Sequence, residues 1–335
     1  MFFQPAILAL LLAGGLGLAA LLLAAPATVQ LVRRWNLSSA SALQIALERR
    51  TYLLATLVVF VLALQMAALL LFVFNADRMA AQFVGAMCAV GSLQANGWGF
   101  PALGAQIAVF FLAAAWLVLH HVDTSSPRYP LTRAKFTLLL VPLLPAVALS
   151  VVLQWLYFAN LRADVITSCC GSLFSAGADA VTGDLAALPP AWAMALLASA
   201  LALAVGANLH YAWRRRGAGW AALGSALGFG AALAGIVSFL SLYIYEHPHH
   251  HCPFCILKPE YHWQGYALYL PLFAATAAGL GVGVLGWAAR RAPDLRAVAT
   301  VLARRLALWA AAGFGVFALL ALGAVWRSNL VLLSP

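Results

Sequence analysis

Two cysteines separated by two residues, Cys252 and Cys255, lie in the most polar stretch of a very hydrophobic chain, EHPHHHCPFCILKPEYH over residues 246–262. The stretch precedes a long apolar run, and a dithiol at a helix entrance favours the thiolate form that attacks disulfides. The same two thiolates are suited to a soft metal ion, and a plain local disulfide is a third interpretation. We therefore take this pair as the first candidate for chemistry, catalytic in an oxidoreductase and ligating in a metal protein.

Histidines surround this pair, and five of the eight in the chain fall in the same stretch. Neutral imidazole together with thiolate is a ligand set for zinc or copper, so His249 and His251 are candidate ligands. Adjacent histidines cannot all reach one ion, and a solvated histidine run is the alternative. His262 follows the pair and is a further candidate ligand or an outer group that orients the ligands.

Three other cysteines complete the set, namely Cys88 and the neighbouring pair Cys169 and Cys170. A disulfide between adjacent residues is strained, so such a pair favours binding a soft metal or bridging to another cysteine. A bridge from Cys169 or Cys170 to Cys88 or to the 252/255 pair is the ordinary alternative. Because five is odd, disulfide pairing alone leaves one thiol over. All five cysteines are therefore candidate metal ligands.

The elements that must position these residues are membrane helices. The chain has 335 residues, of which 65% are hydrophobic and 8% charged, with a mean hydropathy of +0.95. This composition predicts an integral membrane protein. Apolar runs long enough to cross a bilayer predict an all-α, multi-pass fold of eight helices, near residues 5–28, 52–74, 103–121, 136–159, 191–212, 220–245, 265–288 and 306–326. Residues 36–50 between the first two runs are expected to form a cytoplasmic loop or a short interfacial helix.

Basic residues orient these helices. Most of the 19 Lys and Arg residues follow the odd-numbered runs, so the positive-inside rule places both termini on the outer side. We expect one transmembrane domain over 1–335, in a bacterial inner membrane or plasma membrane. Its outer or periplasmic loops, 75–102, 160–190 and 246–264, then carry all five cysteines on one face.

Several function classes find no support in the sequence. The basic balance of +10 follows from the inner loops and gives no reason to expect nucleic-acid binding. The chain has no Walker motif, so any ATP hydrolysis would come from a partner subunit, which nothing indicates. Because Ile256 follows Cys255, the motif for covalent c-type haem is absent. No acidic residue falls in the middle of a predicted helix, so no proton relay is expected across the bilayer.

The segment CPFCILKPEY followed by a membrane helix resembles the active segment of the DsbB and vitamin K epoxide reductase type of membrane disulfide oxidases. The resemblance covers about ten residues and implies that Cys252 and Cys255 pass electrons to quinone. It further implies that Cys169 or Cys170 exchanges with a soluble thioredoxin-like partner. The sequence of Cys169 and Cys170 before a glycine is also similar to the cysteine pair of membrane mercury-transport proteins.

Three hypotheses follow. The first is an outward-facing cysteine and histidine site that binds or hands over a copper or zinc ion, alongside a soluble metal-carrier or thiol partner on the outer side. The second is a quinone-linked thiol-disulfide oxidoreductase that uses the CPFC pair. The third is a structural or permease-like subunit whose cysteines form only disulfides.

Overall fold

A computed structural model describes residues 4–36, 38–39, 41–162 and 188–332. In this part of the chain eight helices are long and apolar enough to cross a membrane, which confirms the predicted all-helical, multi-pass fold. They are α1 (Pro5–Arg34), α2 (Ala42–Gln82), α3 (Gly99–Asp123), α4 (Thr132–Ala159), α5 (Pro190–Arg214), α6 (Ala218–Tyr245), α7 (Gln264–Arg291) and α8 (Pro293–Arg327). The protein is therefore an integral membrane protein.

The helices in the structure are longer than the apolar runs from which they are predicted. The expectation of a loop or short interfacial helix over residues 36–50 is wrong, because α2 begins at Ala42 and continues without a break into the membrane span. The segment ALQIALERR consists almost entirely of strong helix formers. A helix of such residues continues beyond its apolar part. Hydropathy predicts only the apolar part and therefore underestimates the length of the helix.

The described helices divide into two compact units. The first contains α1 to α4 and the connection Trp287–Ala299. Its core includes Leu62 of α2, Trp116 of α3 and Leu143 of α4. The turn Leu139–Leu143 in α4 is a π-helix that contains Pro142. Proline lacks the N–H that an α-helical turn needs, which accounts for the altered turn at this place.

A buried ion pair joins the ends of α3 and α4 in this unit. Lys135 Nζ lies 2.7 Å from Asp123 Oδ2, and both side chains are inaccessible to solvent. Asp123 also accepts hydrogen bonds from the backbone N–H of Leu131 at 2.7 Å and from the hydroxyl of Thr132 at 3.2 Å. The carboxylate therefore fixes the turn that connects the two helices.

The second unit contains α5, α6, most of α7 and α8, and the segment Ala80–Ser92, which begins with the last three residues of α2. Small residues allow α6 and α7 to approach closely. A Cβ atom added at Gly283 of α7 would lie 2.7 Å from Cβ of Ala222 in α6, and one added at Gly286 would overlap Cβ of Ala218. This is the small-residue packing typical of membrane helices.

Two of the three cysteine-bearing loops are described almost completely. The loop after α2 contains a short helix, Ala89–Leu93, and the loop after α6 contains the 3-10 turns Cys255–Leu257 and Pro259–Tyr261. Residues 163–187 of the loop predicted at 160–190 lie outside the described residues. The outer location of the loops and of both termini stays a prediction.

Candidate metal centre

Three cysteine sulfurs meet inside the second unit. The Sγ atoms of Cys88, Cys252 and Cys255 all lie within 4.8 Å of one another, and the Cys88–Cys252 separation is 3.5 Å. Their exposed fractions are 0%, 0% and 4%. Within the described ranges, this is the group of His, Cys, Asp and Glu side chains whose ligand atoms come close enough to hold one ion. The site therefore offers three sulfur donors in a protein interior.

The segment Ala80–Ser92 delivers the first sulfur. Cys88 directly precedes the short helix Ala89–Leu93, and its carbonyl oxygen accepts from the N–H of Gly91 at 3.0 Å. Gly85 has a φ of +84°, a left-handed conformation that favours glycine. The Cys88 side chain, three residues later, is fully buried.

Two tyrosine hydroxyls hold the loop that delivers the other two sulfurs. Tyr245, the last residue of α6, donates to the carbonyl oxygen of Cys252 at 2.5 Å. Tyr269 of α7 donates to the carbonyl oxygen of Pro253 at 2.8 Å. Buried carbonyl groups need such partners, so the two tyrosines fix the backbone between the cysteines. Sequence reasoning did not identify either tyrosine, since nothing in their spacing separates them from the other aromatic residues near helix ends.

The start of α7 packs tightly against the same loop. A Cβ atom added at Gly265 would lie 2.7 Å from Cδ2 of Leu257 and 2.9 Å from Cγ1 of Ile256. Ile256 is fully buried in the core of the second unit with Leu268. Cys255 itself begins the 3-10 turn Cys255–Leu257, and its carbonyl oxygen accepts from Lys258 N at 3.0 Å. The Cys-X-X-Cys turn therefore leads into a buried segment that packs against the start of α7, and not into a solvated loop.

His251, next to Cys252 in the chain, is buried. One of its two ring nitrogens is engaged in a hydrogen bond and is therefore not available as a metal ligand. Its Nδ1–H donates to the carbonyl oxygen of Val237 at 2.9 Å. Val237 belongs to the π-helical turn Ile236–Leu240 of α6, a kind of turn that is frequent at functional sites. Burial lowers the pKa of His251 below the usual histidine value, which favours the neutral ring.

Two of the predicted histidine ligands are not part of this group. His249 and His262 are exposed, and neither belongs to the three-sulfur group. His250 packs its ring against that of Tyr245, with 4.2 Å between the ring centroids. Cys169 and Cys170 lie outside the described residues. The structure thus brings Cys88 to Cys252 and Cys255, and the exposed histidines do not belong to this group.

This arrangement has two chemical capacities. Three thiolates in a water-poor interior are a donor set for soft metal ions, which prefer sulfur to oxygen. Two thiols with sulfur atoms 3.5 Å apart are also close enough to be oxidised to a disulfide after a small movement.

Comparisons of the chain with protein-family models, with curated proteins and with solved structures found no match.

Proposed function

We propose that the protein binds a soft metal ion, Cu(I) foremost, between the sulfur atoms of Cys88, Cys252 and Cys255. The observation that carries this proposal is the convergence of three buried sulfur atoms within 4.8 Å of one another. Thiolate ligands select Cu(I) and zinc among the common metal ions. An ion at this place would offset part of the negative charge of the thiolates, which are costly to bury as charges.

Copper is favoured over zinc by the number and type of the donors. Structural zinc sites almost always have four ligands in a tetrahedral arrangement. The described group supplies three sulfurs and neither of the exposed histidines His249 and His262. Zinc would therefore require a fourth ligand, such as the free nitrogen of a reoriented His251, while Cu(I) is satisfied by three thiolates.

Delivery to or from this site is assigned to a soluble carrier on the side of the membrane where the cysteine loops lie. A carrier that presents its own thiols would exchange ligands with the buried cysteines one sulfur at a time. The predicted outer location of the loops supports a periplasmic or extracellular carrier.

Metal content of the purified protein tests the proposal. The wild type, loaded with Cu(I) under anaerobic conditions, is expected to retain one equivalent of copper against a competing chelator. Cys88→Ala and the double variant Cys252→Ala/Cys255→Ala are expected to lose it. Alanine suits these buried positions because it introduces no unpaired hydroxyl. A wild type that retains neither copper nor zinc, or alanine variants that fold and keep their copper, would refute the proposal.

A thiol-disulfide oxidoreductase is the second candidate, and the 3.5 Å separation between the sulfurs of Cys88 and Cys252 favours it. In that reaction the two thiols lose two protons and two electrons and form one S–S bond. A quinone takes up both protons and both electrons and becomes a quinol. Quinone reduction by the dithiol form, followed by its absorbance, would support this function, and an inactive but folded protein would exclude it.

A further inference from the structure

A groove of about 700 Å³ lies in the second unit beside the cysteine-bearing loop. The ends of α6 and α8 and the beginning of α7 form its walls. Its volume is in the range of sites that hold small molecules or lipid headgroups. It is lined by none of the three cysteines, so it is a feature separate from the proposed metal centre.

Polarity changes along this groove. Glu246, His262 and Arg327 line the end at the helix termini, whereas Leu268, Leu319 and Leu320 line the part beside the helices. Leu319 is 70% exposed, so the apolar part opens sideways toward the surface that faces lipid. A ligand that matches this surface has a charged head and a hydrocarbon chain.

Tryptophans at the same level indicate where the groove lies in the bilayer. Trp326 of α8 is 88% exposed, and Trp263, just before α7, is 47% exposed. Exposed tryptophans at the ends of membrane helices mark the headgroup level of the bilayer. The polar end of the groove therefore lies at phospholipid headgroups, and its apolar part lies at acyl chains.

The charges in the groove have opposite signs. Glu246 supplies a carboxylate, whose Oε1 accepts from the backbone N–H of Asn329 at 2.9 Å and from Asn329 Nδ2 at 3.1 Å. These two bonds hold the carboxylate in place at the groove. Arg327, the last residue of α8, supplies a guanidinium, the group best suited to phosphate.

We propose that the groove binds a phospholipid with a primary amine in its headgroup, of the phosphatidylethanolamine type. The phosphate lies at Arg327, the ammonium group donates to Glu246, and one acyl chain follows Leu319 and Leu320. Phosphatidylcholine has no N–H to donate to the carboxylate, and phosphatidylglycerol has no cation. The headgroup preference is therefore the distinguishing property of this site.

Two glycines of α8 provide a matched test. A Cβ atom added at Gly323, which lines the groove, meets nothing within 4 Å, and the same holds for Gly315 on the same helix outside the groove lining. Gly323→Leu therefore places a side chain in the groove from a position where its Cβ has room, and Gly315→Leu is its control. Glu246→Gln removes the charge and keeps an acceptor for Asn329.

Native mass spectrometry measures lipid retention after reconstitution in nanodiscs of phosphatidylethanolamine, phosphatidylcholine or phosphatidylglycerol. We expect wild type and Gly315→Leu to retain phosphatidylethanolamine preferentially, and Gly323→Leu to retain roughly tenfold less, equivalent to about 1.4 kcal/mol. Glu246→Gln is expected to retain the ethanolamine and choline lipids equally. Equal retention of all three lipids by the wild type, or unchanged retention by Gly323→Leu, would overturn the proposal. If Gly323→Leu does not fold, the Glu246→Gln comparison decides.

Discussion

The sulfur atoms of Cys88 and Cys252 lie 3.5 Å apart, although the two residues are 164 positions apart in the chain. The contact joins the segment Ala80–Ser92 to the loop between α6 and α7 inside one compact unit. With Cys255 it completes a three-sulfur group, to which the segment contributes one sulfur and the loop contributes two. Chemistry at this place therefore depends on both segments.

The tyrosine that holds the Cys252 carbonyl is expected to contribute to metal affinity. Tyr245→Phe removes one buried hydrogen bond, which is worth about 1 kcal/mol, and leaves a carbonyl without this partner. We expect Cu(I) affinity to fall by roughly five- to tenfold in a chelator competition. Tyr52→Phe, at a residue that is 73% exposed, is the control and is expected to bind as the wild type does. Equal affinities in the two variants would contradict a positioning role for Tyr245.

The histidines of the loop differ in their expected contributions. His249 and His262 are exposed and lie outside the three-sulfur group. We expect His249→Ala and His262→Ala to keep copper at the wild-type stoichiometry, measured by elemental analysis. Loss of copper in either variant with the fold intact would place that histidine among the ligands.

The buried ion pair in the first unit is expected to matter for stability. Removing one partner of a buried pair costs about 3–5 kcal/mol, because the other charge remains buried without compensation. We expect Lys135→Met to lower the thermal unfolding temperature strongly, and Lys135→Met/Asp123→Asn to recover part of the loss.

The exposed ion pair between Arg128 and Asp294, at 3.7 Å, serves as the comparison for that measurement. Exposed pairs are worth under about 1 kcal/mol, so Arg128→Met is expected to change the unfolding temperature little. Similar losses in Lys135→Met and Arg128→Met would contradict the assigned difference in burial.

Close packing between α6 and α7 predicts a position-specific effect of glycine substitution. At Gly283 an added Cβ would lie 2.7 Å from Cβ of Ala222, so Gly283→Leu forces the helices apart at a cost of about 1–3 kcal/mol. Gly315→Leu, where an added Cβ meets nothing within 4 Å, is expected to leave stability nearly unchanged. Thermal unfolding in a fixed detergent compares the two, and equal stabilities would argue against the close approach.

The membrane fold could be predicted from the sequence because each apolar run must satisfy its backbone groups internally as a helix. The helix ends could not, since the start of α2 includes Gln44, Glu48, Arg49 and Arg50, which are polar yet strongly helix-forming. Asp123 and Lys135 illustrate the same limit. The sequence predicts that both lie in an inner loop as solvated charges. In the structure Asp123 is buried and accepts hydrogen bonds from the N–H of Leu131 and the hydroxyl of Thr132.

The candidate site was only partly predictable for a related reason. Cysteine chemistry is visible in the residue types, so all three members of the group could be named as candidates. Their meeting could not be predicted, because the path of the Ala80–Ser92 segment depends on the packing of distant helices. The composition of the histidine run predicts metal ligands at His249, His251 and His262. In the structure His251 is buried, whereas His249 and His262 are exposed.

X-ray absorption spectroscopy of the Cu(I)-loaded protein tests the central claim most directly, because it counts the sulfur neighbours of the metal. We predict a copper ion surrounded by three sulfur atoms in the wild type, with that coordination lost in Cys88→Ala. A copper environment of nitrogen and oxygen alone, or an unchanged sulfur coordination in the Cys88→Ala protein, would contradict the proposed centre.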